Sequence, residues 1–353
     1  MYVTTKARGL RMPVAAQRMK KADIVQVARA AGVSMTTVSR VLNKVPTVTP
    51  DNVRRVVLAI KQLNYRPNPS AQRLAAGRSN TVGVIIPKFE GMFRSYYTLE
   101  TLKGLGMGAE RAGCVLLLQI AGSRAALNPS AVDGIVFLDI DGNEELVDQA
   151  VNEELACVVL NHYMPDLPVS CVAIDNRMAA QRVVEYLAGL GHQEIATITG
   201  DLKTQAGLDR LDGFVTAMKQ RRLPVKDGYV QQARWRVDVA RDAMEALLKR
   251  SDRPTAVFVA SDEMAIEAVN TALAKGVRVP EELSIVGFDD NPVAAHARVP
   301  LTTIRQPLEE MGRVGIDMLF QQIRGKKRTP TKLLLPTELV ERQSCRQTWL
   351  ERQ

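Results

Sequence analysis

Two groups of residues in this 353-residue chain have types and spacings suited to chemistry, and both point to binding. The first is Met35, Thr36, Ser39, Arg40 and Asn43, polar or slender side chains on one face of a short helical stretch. Such a face suits the edges of base pairs. A planar guanidinium such as that of Arg40 makes a bidentate contact to guanine worth ~1–3 kcal/mol of base discrimination. Thr37, Ser39 and Thr47 suit phosphates, contacts that position a protein without specifying sequence. The second group is Arg210, Asp289 and Trp235. Arg210 falls on the opening turns of a helical stretch, and its fork fits two adjacent hydroxyls or a carboxylate. Asp289 follows a strand-like run and can accept from ligand hydroxyls, and Trp235 offers an aromatic face to the apolar side of a sugar. Plainer readings exist: a ligand-free surface helix for the first group, and a helix cap, an ion pair and a core aromatic for Asp289, Arg210 and Trp235.

The elements that position the first group are legible. Asp23 caps a helix over 24–31, with Ile24, Val27, Ala28 and Ala31 on one apolar face. Gly32 ends it and Val33 plugs the turn. Ser34 caps a second helix over 35–43 whose Val38, Val41 and Leu42 face inward. Thr49 as cap and Pro50 at the first position open a third, with Val53, Val56, Val57, Ile60 and Leu63 in period. Helix, short Gly-containing turn, helix is the helix-turn-helix unit, in which the start of the second helix enters the major groove. Asn68, Pro69 and Gly77 bracket a further helix of about two turns, too short to be stable unless packed on something.

From Thr81 the pattern changes. Strand-like runs at 82–86, 115–118, 134–138, 157–160, 195–199, 255–259 and 283–286 alternate with helical stretches at 98–112, 144–153, 177–190, 207–221, 237–249, 262–275 and 308–324. This alternation predicts parallel sheets covered on both faces, with ligands beyond the carboxyl ends of the strands.

Charge separates the two regions. Residues 1–79 hold 15 Lys and Arg against only Asp23 and Asp51, while the rest holds 32 basic against 36 acidic residues. The whole excess of the net +9 therefore sits in the first fifth, the footprint of a nucleic-acid module joined to an ordinary acidic body. No apolar run approaches the ~20 residues of a membrane span. Cys114, Cys157, Cys171 and Cys345 form no CxxC pair and read as reduced thiols of a cytoplasmic protein. No nucleophile–base pair, metal cluster or phosphate loop is evident, so neither an enzyme nor a metal or cofactor is expected. Gly104-Leu105-Gly106-Met107-Gly108 mimics a dinucleotide loop but lies inside a helical stretch. His192, in a turn between helix and strand, reads as structural.

The run from Val25 to Asn43 and the segment Leu63-Asn64-Tyr65-Arg66-Pro67-Asn68-Pro69-Ser70-Ala71-Gln72-Arg73-Leu74-Ala75 resemble the lactose-repressor (LacI/GalR) family of bacterial transcriptional regulators. Leu190-Gly191-His192, Arg210-Leu211-Asp212-Gly213-Phe214, Val286-Gly287-Phe288-Asp289-Asp290 and Pro300-Leu301-Thr302-Thr303-Ile304 resemble later signatures of the same family. The resemblance implies an all-α helix-turn-helix domain followed by an α/β body like periplasmic sugar-binding proteins, with two parallel-sheet subdomains, three crossovers and an effector in the cleft. It implies a hinge helix that pairs with its dimer mate in the operator's minor groove, with Leu74 as an apolar wedge and Ala71 as the small residue permitting approach. Ser34, Tyr65 and Asn68 complete the candidate DNA contacts. In the cleft, Arg210, Trp235 and Asp289 match pocket positions, and Asn161 and Ser261 match its edge.

The expected organisation is a basic tail over 1–21, a helix-turn-helix domain over 22–66, a hinge over 67–79, an effector domain over 80–343 and a tail over 344–353. Within the effector domain, one subdomain takes about 80–173 and 306–335, the other about 174–305 and 336–343. The expected function is that of a repressor binding double-stranded operator DNA as a homodimer or higher oligomer, controlled by a sugar-like effector, with no membrane partner. Two departures from the family stand out. The segment 119–133 is too short for the usual helix between the second and third strands, and the stretch from Lys88 to Tyr97 is unusual. Phe93, Tyr96 and Tyr97 either stack on the effector or fill the thinned layer.

Overall fold

The computed structural model describes residues 22–42, 45–65, 79–122, 128, 131–325 and 329–348. The chain divides into two compact units, Met1–Arg78 and Ser79–Gln353. The expected basic tail, Asn43, and the hinge residues Asn68, Ala71 and Leu74 lie outside the described residues.

In the smaller unit, local hydrogen bonding sets each helix start. Helix α1 (Ile24–Ala31) opens with a reciprocal box: Asp23 Oδ1 accepts from the Gln26 amide at 2.8 Å, and Gln26 Oε1 accepts from the Asp23 amide at 3.1 Å. Gly32 closes it in the left-handed region at φ 62°. Helix α2 (Met35–Leu42) begins where Ser34 Oγ accepts from the Thr37 amide at 3.1 Å. Helix α3 (Pro50–Gln62) has Pro50 at its first turn, but the Thr49 side chain makes no capping bond. Val27, Ala28, Ala31, Val38, Val56 and Ala59 form the core, with Ile60, Leu63 and Tyr65 packed against it. Val53 and Val57, expected inward, are exposed. Two eight-residue helices cover only the stripe through Val56, Ala59, Ile60 and Leu63, and Val53 and Val57 flank it.

The larger unit contains two parallel sheets. The six-stranded sheet comprises β1 (Thr81–Ile86), β2 (Val115–Ile120), β3 (Gly134–Phe137), β4 (Ala156–Leu160), β5 (Ser170–Ile174) and β11 (Lys332–Leu335) in the order β11-β5-β4-β3-β1-β2. Helices α4 (Tyr96–Ala112) and α11 (Leu308–Arg324) cover one face and α5 (Glu144–Asn152) the other. The four-stranded sheet comprises β6 (Ile195–Thr199), β7 (Val230–Gln232), β8 (Ala256–Val259) and β9 (Ser284–Val286) in the order β7-β6-β8-β9. It lies between α6 (Asn176–Gly189) with α7 (Gln205–Gln220) and α8 (Val237–Leu248) with α9 (Asp262–Ala274). The short α10 (Pro292–Ala295) and the antiparallel pair β10 (Thr303–Arg305) and β12 (Glu338–Val340) complete the unit. The chain passes between the sheets three times, at 175, 306–307 and 336–337. One apolar cluster runs from Val84 and Leu160 to Phe214 and Phe288, joining the two halves.

The glycines of the helical stretch that mimics a dinucleotide loop have a packing role. A Cβ on Gly104 would lie 2.0 Å from the Glu309 carbonyl oxygen, and one on Gly312 would lie 2.2 Å from that of Thr101. Helices α4 and α11 therefore cross backbone to backbone.

No α-helix is found among the described residues of the connection 121–133. Val115 and Leu117, paired with Thr81 and Gly83, point to the α5 side of the sheet and are 56% and 43% exposed. Asp133, at the end of this connection, accepts from the amides of Ser79 and Asn80 at 2.5 and 2.8 Å and fastens the start of the unit.

The stretch from 344 is not a loose tail over its described length. Ser344 is fully buried, its hydroxyl donating to the Ile285 carbonyl at 2.5 Å and accepting from the Thr302 amide at 2.8 Å. The Thr348 amide donates to the Leu190 carbonyl at 2.9 Å. His192 is buried in the same knot, within hydrogen-bond reach of Thr255, Ser284 and the Arg346 carbonyl, and burial pushes its pKa down. Among the described residues no helix is long and apolar enough to cross a membrane.

Candidate functional site

On the smaller unit, the core takes Val38 and, in part, Val41 and Leu42, which leaves the opposite face of α2 outward. Ser34, Met35, Thr36 and Arg40 are exposed, Thr37 and Ser39 half-buried, and Thr47 exposed in the turn that follows. Ser34 and Thr37 share a 2.9 Å hydroxyl contact, so Thr37 is oriented by the cap of its own helix. Tyr65 is half-buried against the core, and burial raises its pKa, with a smaller contribution from Asp23.

On the larger unit, the candidate pocket residues lie beyond the carboxyl ends of the strands, where parallel sheets leave a crevice. Arg210, in the second turn of α7, is 5% exposed. Its Nε donates to Asn176 Oδ1 at 2.8 Å and its Nη1 to the Ala260 carbonyl at 2.5 Å. The guanidinium lies 3.6 Å from the centre of the Phe288 ring and 5.5 Å from that of Trp235. Nη1 is 3.9 Å from Asp289 Oδ1. Burial lowers the Arg210 pKa to about 10 against the opposing pull of Asp289 and Asp262. Burial raises that of Asp289 to about 6, against the opposing effects of Arg210 and the Gln306 amide. Asp262 is also pushed upward, by burial and then by Asp289; it accepts from the Asn291 amide at 2.8 Å and the Thr303 hydroxyl at 2.6 Å.

The structure thus brings Arg210, Asp289 and Trp235 together. Trp235 is half-buried, and its ring lies so close to Gly200 that a Cβ there would sit 2.2 Å away. One side of the ring is therefore spent on the protein. Ser261 caps α9, its hydroxyl accepting from the Met264 amide at 3.4 Å. Asn161, on the six-stranded side, donates to Asp139 Oδ2 at 3.1 Å. Phe93 is exposed in a turn after β1. The two sides of the crevice touch where the Tyr163 amide donates to Gln205 Oε1 at 2.8 Å and Gln205 Nε2 donates to the Tyr163 carbonyl at 3.1 Å. Tyr96, from the six-stranded side, feels Asp290, Asp289 and Asp262 from the other; burial above all, then Glu100, takes its pKa to about 12.

Backbone strain concentrates here. Asn161, Arg234, Trp235, Asp289 and Asp290 all have positive φ, a conformation that costs a non-glycine residue of order 1–3 kcal/mol and clusters at ligand clamps.

Several participants escaped the sequence reading. Asn176 and Phe288 hold the guanidinium from 34 and 78 positions away, so no local spacing reveals them. Gln306 donates to Asp289 Oδ1 at 2.6 Å, while its Oε1 is buried without a hydrogen-bond partner. Its position directly after a strand end, beside a chain crossing, was the available signal. Asp139, Asp141 and Asn143, at alternate positions after β3, were legible as an oxygen-rich loop.

A basic helix-turn-helix unit followed by a two-sheet body with a charged crevice defines a DNA-binding regulator controlled by a small molecule. The comparisons with known proteins give the family. The pattern for bacterial regulatory proteins of the lacI family matches residues 23–68, and that of a periplasmic binding protein-like domain matches 184–345. The HTH-type transcriptional regulator DegA of Bacillus subtilis (strain 168) is 31% identical over 335 residues, spanning 92% of this chain and 98% of that protein. Catabolite control protein A of Priestia megaterium is 32% identical over 336 residues, spanning 92% and 99%. Among solved structures, the CelR–cellobiose complex matches with a TM-score of 0.69 at 31% identity, covering 92% of this chain and 99% of that one. The lac repressor dimer bound to operator and the anti-inducer ONPF matches with a TM-score of 0.79 at 26% identity, with the same coverage. The chain belongs to the lacI family: it is a DNA-binding transcriptional regulator with an effector-binding domain, not an enzyme.

Proposed function

We propose that the protein is a cytoplasmic repressor that binds an operator as a homodimer and releases or tightens its grip when a sugar or sugar derivative occupies the crevice of the larger unit. The observation that carries the effector reading is the buried guanidinium of Arg210 beside Asp289, flanked by Trp235. A fixed cation, a carboxylate and an aromatic face together suit a polyol, whose hydroxyls both donate and accept. Two similar structures, the CelR–cellobiose complex and the lac repressor with the anti-inducer ONPF, support the same ligand class.

In this reading Arg40 reads a base and Met35 and Thr36 touch base edges. Ser34, Thr37, Ser39 and Thr47 anchor phosphates. Tyr65 and Asn43 extend the surface, and Asn68, Ala71 and Leu74 work from the hinge over 67–79. The two subdomains follow the boundaries expected above, with the second continuing past 343. An effector that prefers one closure of the crevice shifts the population of that closure, and the operator affinity changes by the differential affinity.

The test is fluorescence anisotropy of the purified protein on its operator, titrated against a panel of sugars with nucleobases as a second arm. A saturable change with a sugar supports the reading, and a response to nucleobases alone overturns the sugar class. Arg40→Ala is expected to lose ~1–3 kcal/mol of preference for operator over bulk DNA. An equal loss on both DNAs would remove Arg40 from base reading.

A further inference from the structure

The six-stranded side of the crevice carries a second constellation that the effector reading does not use. The loop after β3 reads Leu138-Asp139-Ile140-Asp141-Gly142-Asn143, with oxygen-bearing side chains at alternate positions, and His162 follows the end of β4. One ligand atom from each of Asp139, Asp141 and His162 lies within 4.8 Å of the others. His162 Nδ1 is 3.2 Å from Asp139 Oδ1 and 3.8 Å from Asp141 Oδ1. The Asp139 carboxylate is held in place by the amide of Ile140 at 2.7 Å and the side chain of Asn161 at 3.1 Å.

A separate observation points to a missing partner. Asn143 is 2% exposed, and its Nδ2 donates to the Asp139 carbonyl at 3.4 Å, yet its Oδ1 has no hydrogen-bond partner. Asp141 Oδ2 is likewise buried and unpartnered. Leaving such an acceptor unsatisfied is unfavourable, the more so for a charged one, unless something supplies the missing positive pole.

We propose that Asp139, Asp141 and His162 bind a divalent cation. Two carboxylates and an imidazole form a mixed set. Magnesium and calcium favour all-oxygen shells, whereas imidazole suits transition metals, so the class is manganese or zinc. The cation takes the Nδ1 lone pair, so the imidazole proton resides on Nε2 in the bound form. The site adjoins the Tyr163–Gln205 contact that joins the two sides, since His162 directly precedes Tyr163.

The experiment uses the full chain, stripped with chelator and dialysed, titrated with Mn2+ alone and followed by the loss of the free-ion electron paramagnetic resonance signal. Zn2+ alone is followed by thermal shift. One saturable Mn2+ per chain is expected, weakened at least about tenfold in Asp141→Asn and in His162→Ala and unchanged in the exposed control Asp166→Asn. No saturable binding at millimolar Mn2+, or binding that survives both variants, overturns the proposal, as does an equal loss in the control. Should Asp141→Asn fail to fold, His162→Ala decides alone. Sugar response is measured separately, so failure here leaves the effector reading intact.

Discussion

The two sides of the crevice treat buried charge in opposite ways. On the four-stranded side, Arg210, Asp289 and Asp262 are taken out of water with their partners supplied: Asn176, the Ala260 carbonyl, Gln306, Thr303 and the Asn291 amide. On the six-stranded side, Asp139 is well held, but Asp141 and Asn143 keep acceptor atoms without donors. The first arrangement supplies its charged groups with partners before any ligand arrives and leaves a single neutral acceptor, Gln306 Oε1, unpaired. The second is incomplete, and its stability depends on what binds.

Removing a charge should therefore have opposite consequences on the two sides. The largest effect is expected for Arg210→Ala, which leaves Asp289 and Asp262 buried without their cation. Breaking a buried pair in this way costs ~3–5 kcal/mol. Chemical denaturation is expected to show that loss, and the effector's control of operator binding to disappear; near-native stability would mean the acids were solvated all along. A smaller loss, about 1 kcal/mol or less, is expected for Gln205→Ala, which removes the two-way contact with Tyr163. Its effector affinity should change while the melting of each half is kept, and an unaltered affinity would show that the contact does not bias closure.

Asp289→Asn sharpens the comparison through pH. An exposed aspartate holds its proton only below about pH 4, whereas Asp289 in the fold holds it to about 6. The native state therefore binds the proton more tightly than the unfolded chain. This contribution to stability is full below pH 4 and is lost as the pH rises through 6. Between pH 4 and 7 the melting temperature of the Asn variant is expected to fall less than that of the parent; parallel curves would place the ionised carboxylate in a compensated site. The smallest effect is expected for Asp141→Asn in the presence of chelator: unchanged or slightly raised stability, because repulsion from Asp139 is removed. A loss above about 1 kcal/mol would show that Asp141 already has its partner.

How much of this was legible in the sequence depended on the range of the interactions. The caps at Asp23 and Ser34 act over three residues, and the helices they start were readable to within a residue. The seven strand-like runs were found, but β5, β7, β10, β11 and β12 were not named. β10, β11 and β12 take their order from strands far along the chain: β11 pairs with β5 across more than 150 residues. The same holds for the site. The chemistry of Arg210 and Asp289 was visible in their types and in the family signatures around them. Their supports were not, because Asn176, Ala260 and Gln306 meet Arg210 and Asp289 only in three dimensions. Val53 and Val57 show the limit of periodicity: it identifies an apolar face, but the size of the neighbouring helices decides how much of that face is covered.

The glycine contact between α4 and α11 bears on how a signal leaves the crevice. Gln306, which holds Asp289, is followed within two residues by the first turn of α11, and α4 begins at Tyr96 beside the same acids. With backbones touching at Gly104 and Gly312, the two helices have no layer of side chains to slide on. A small displacement at the Gln306 crossing is therefore carried along the pair as a rigid lever rather than absorbed at the joint.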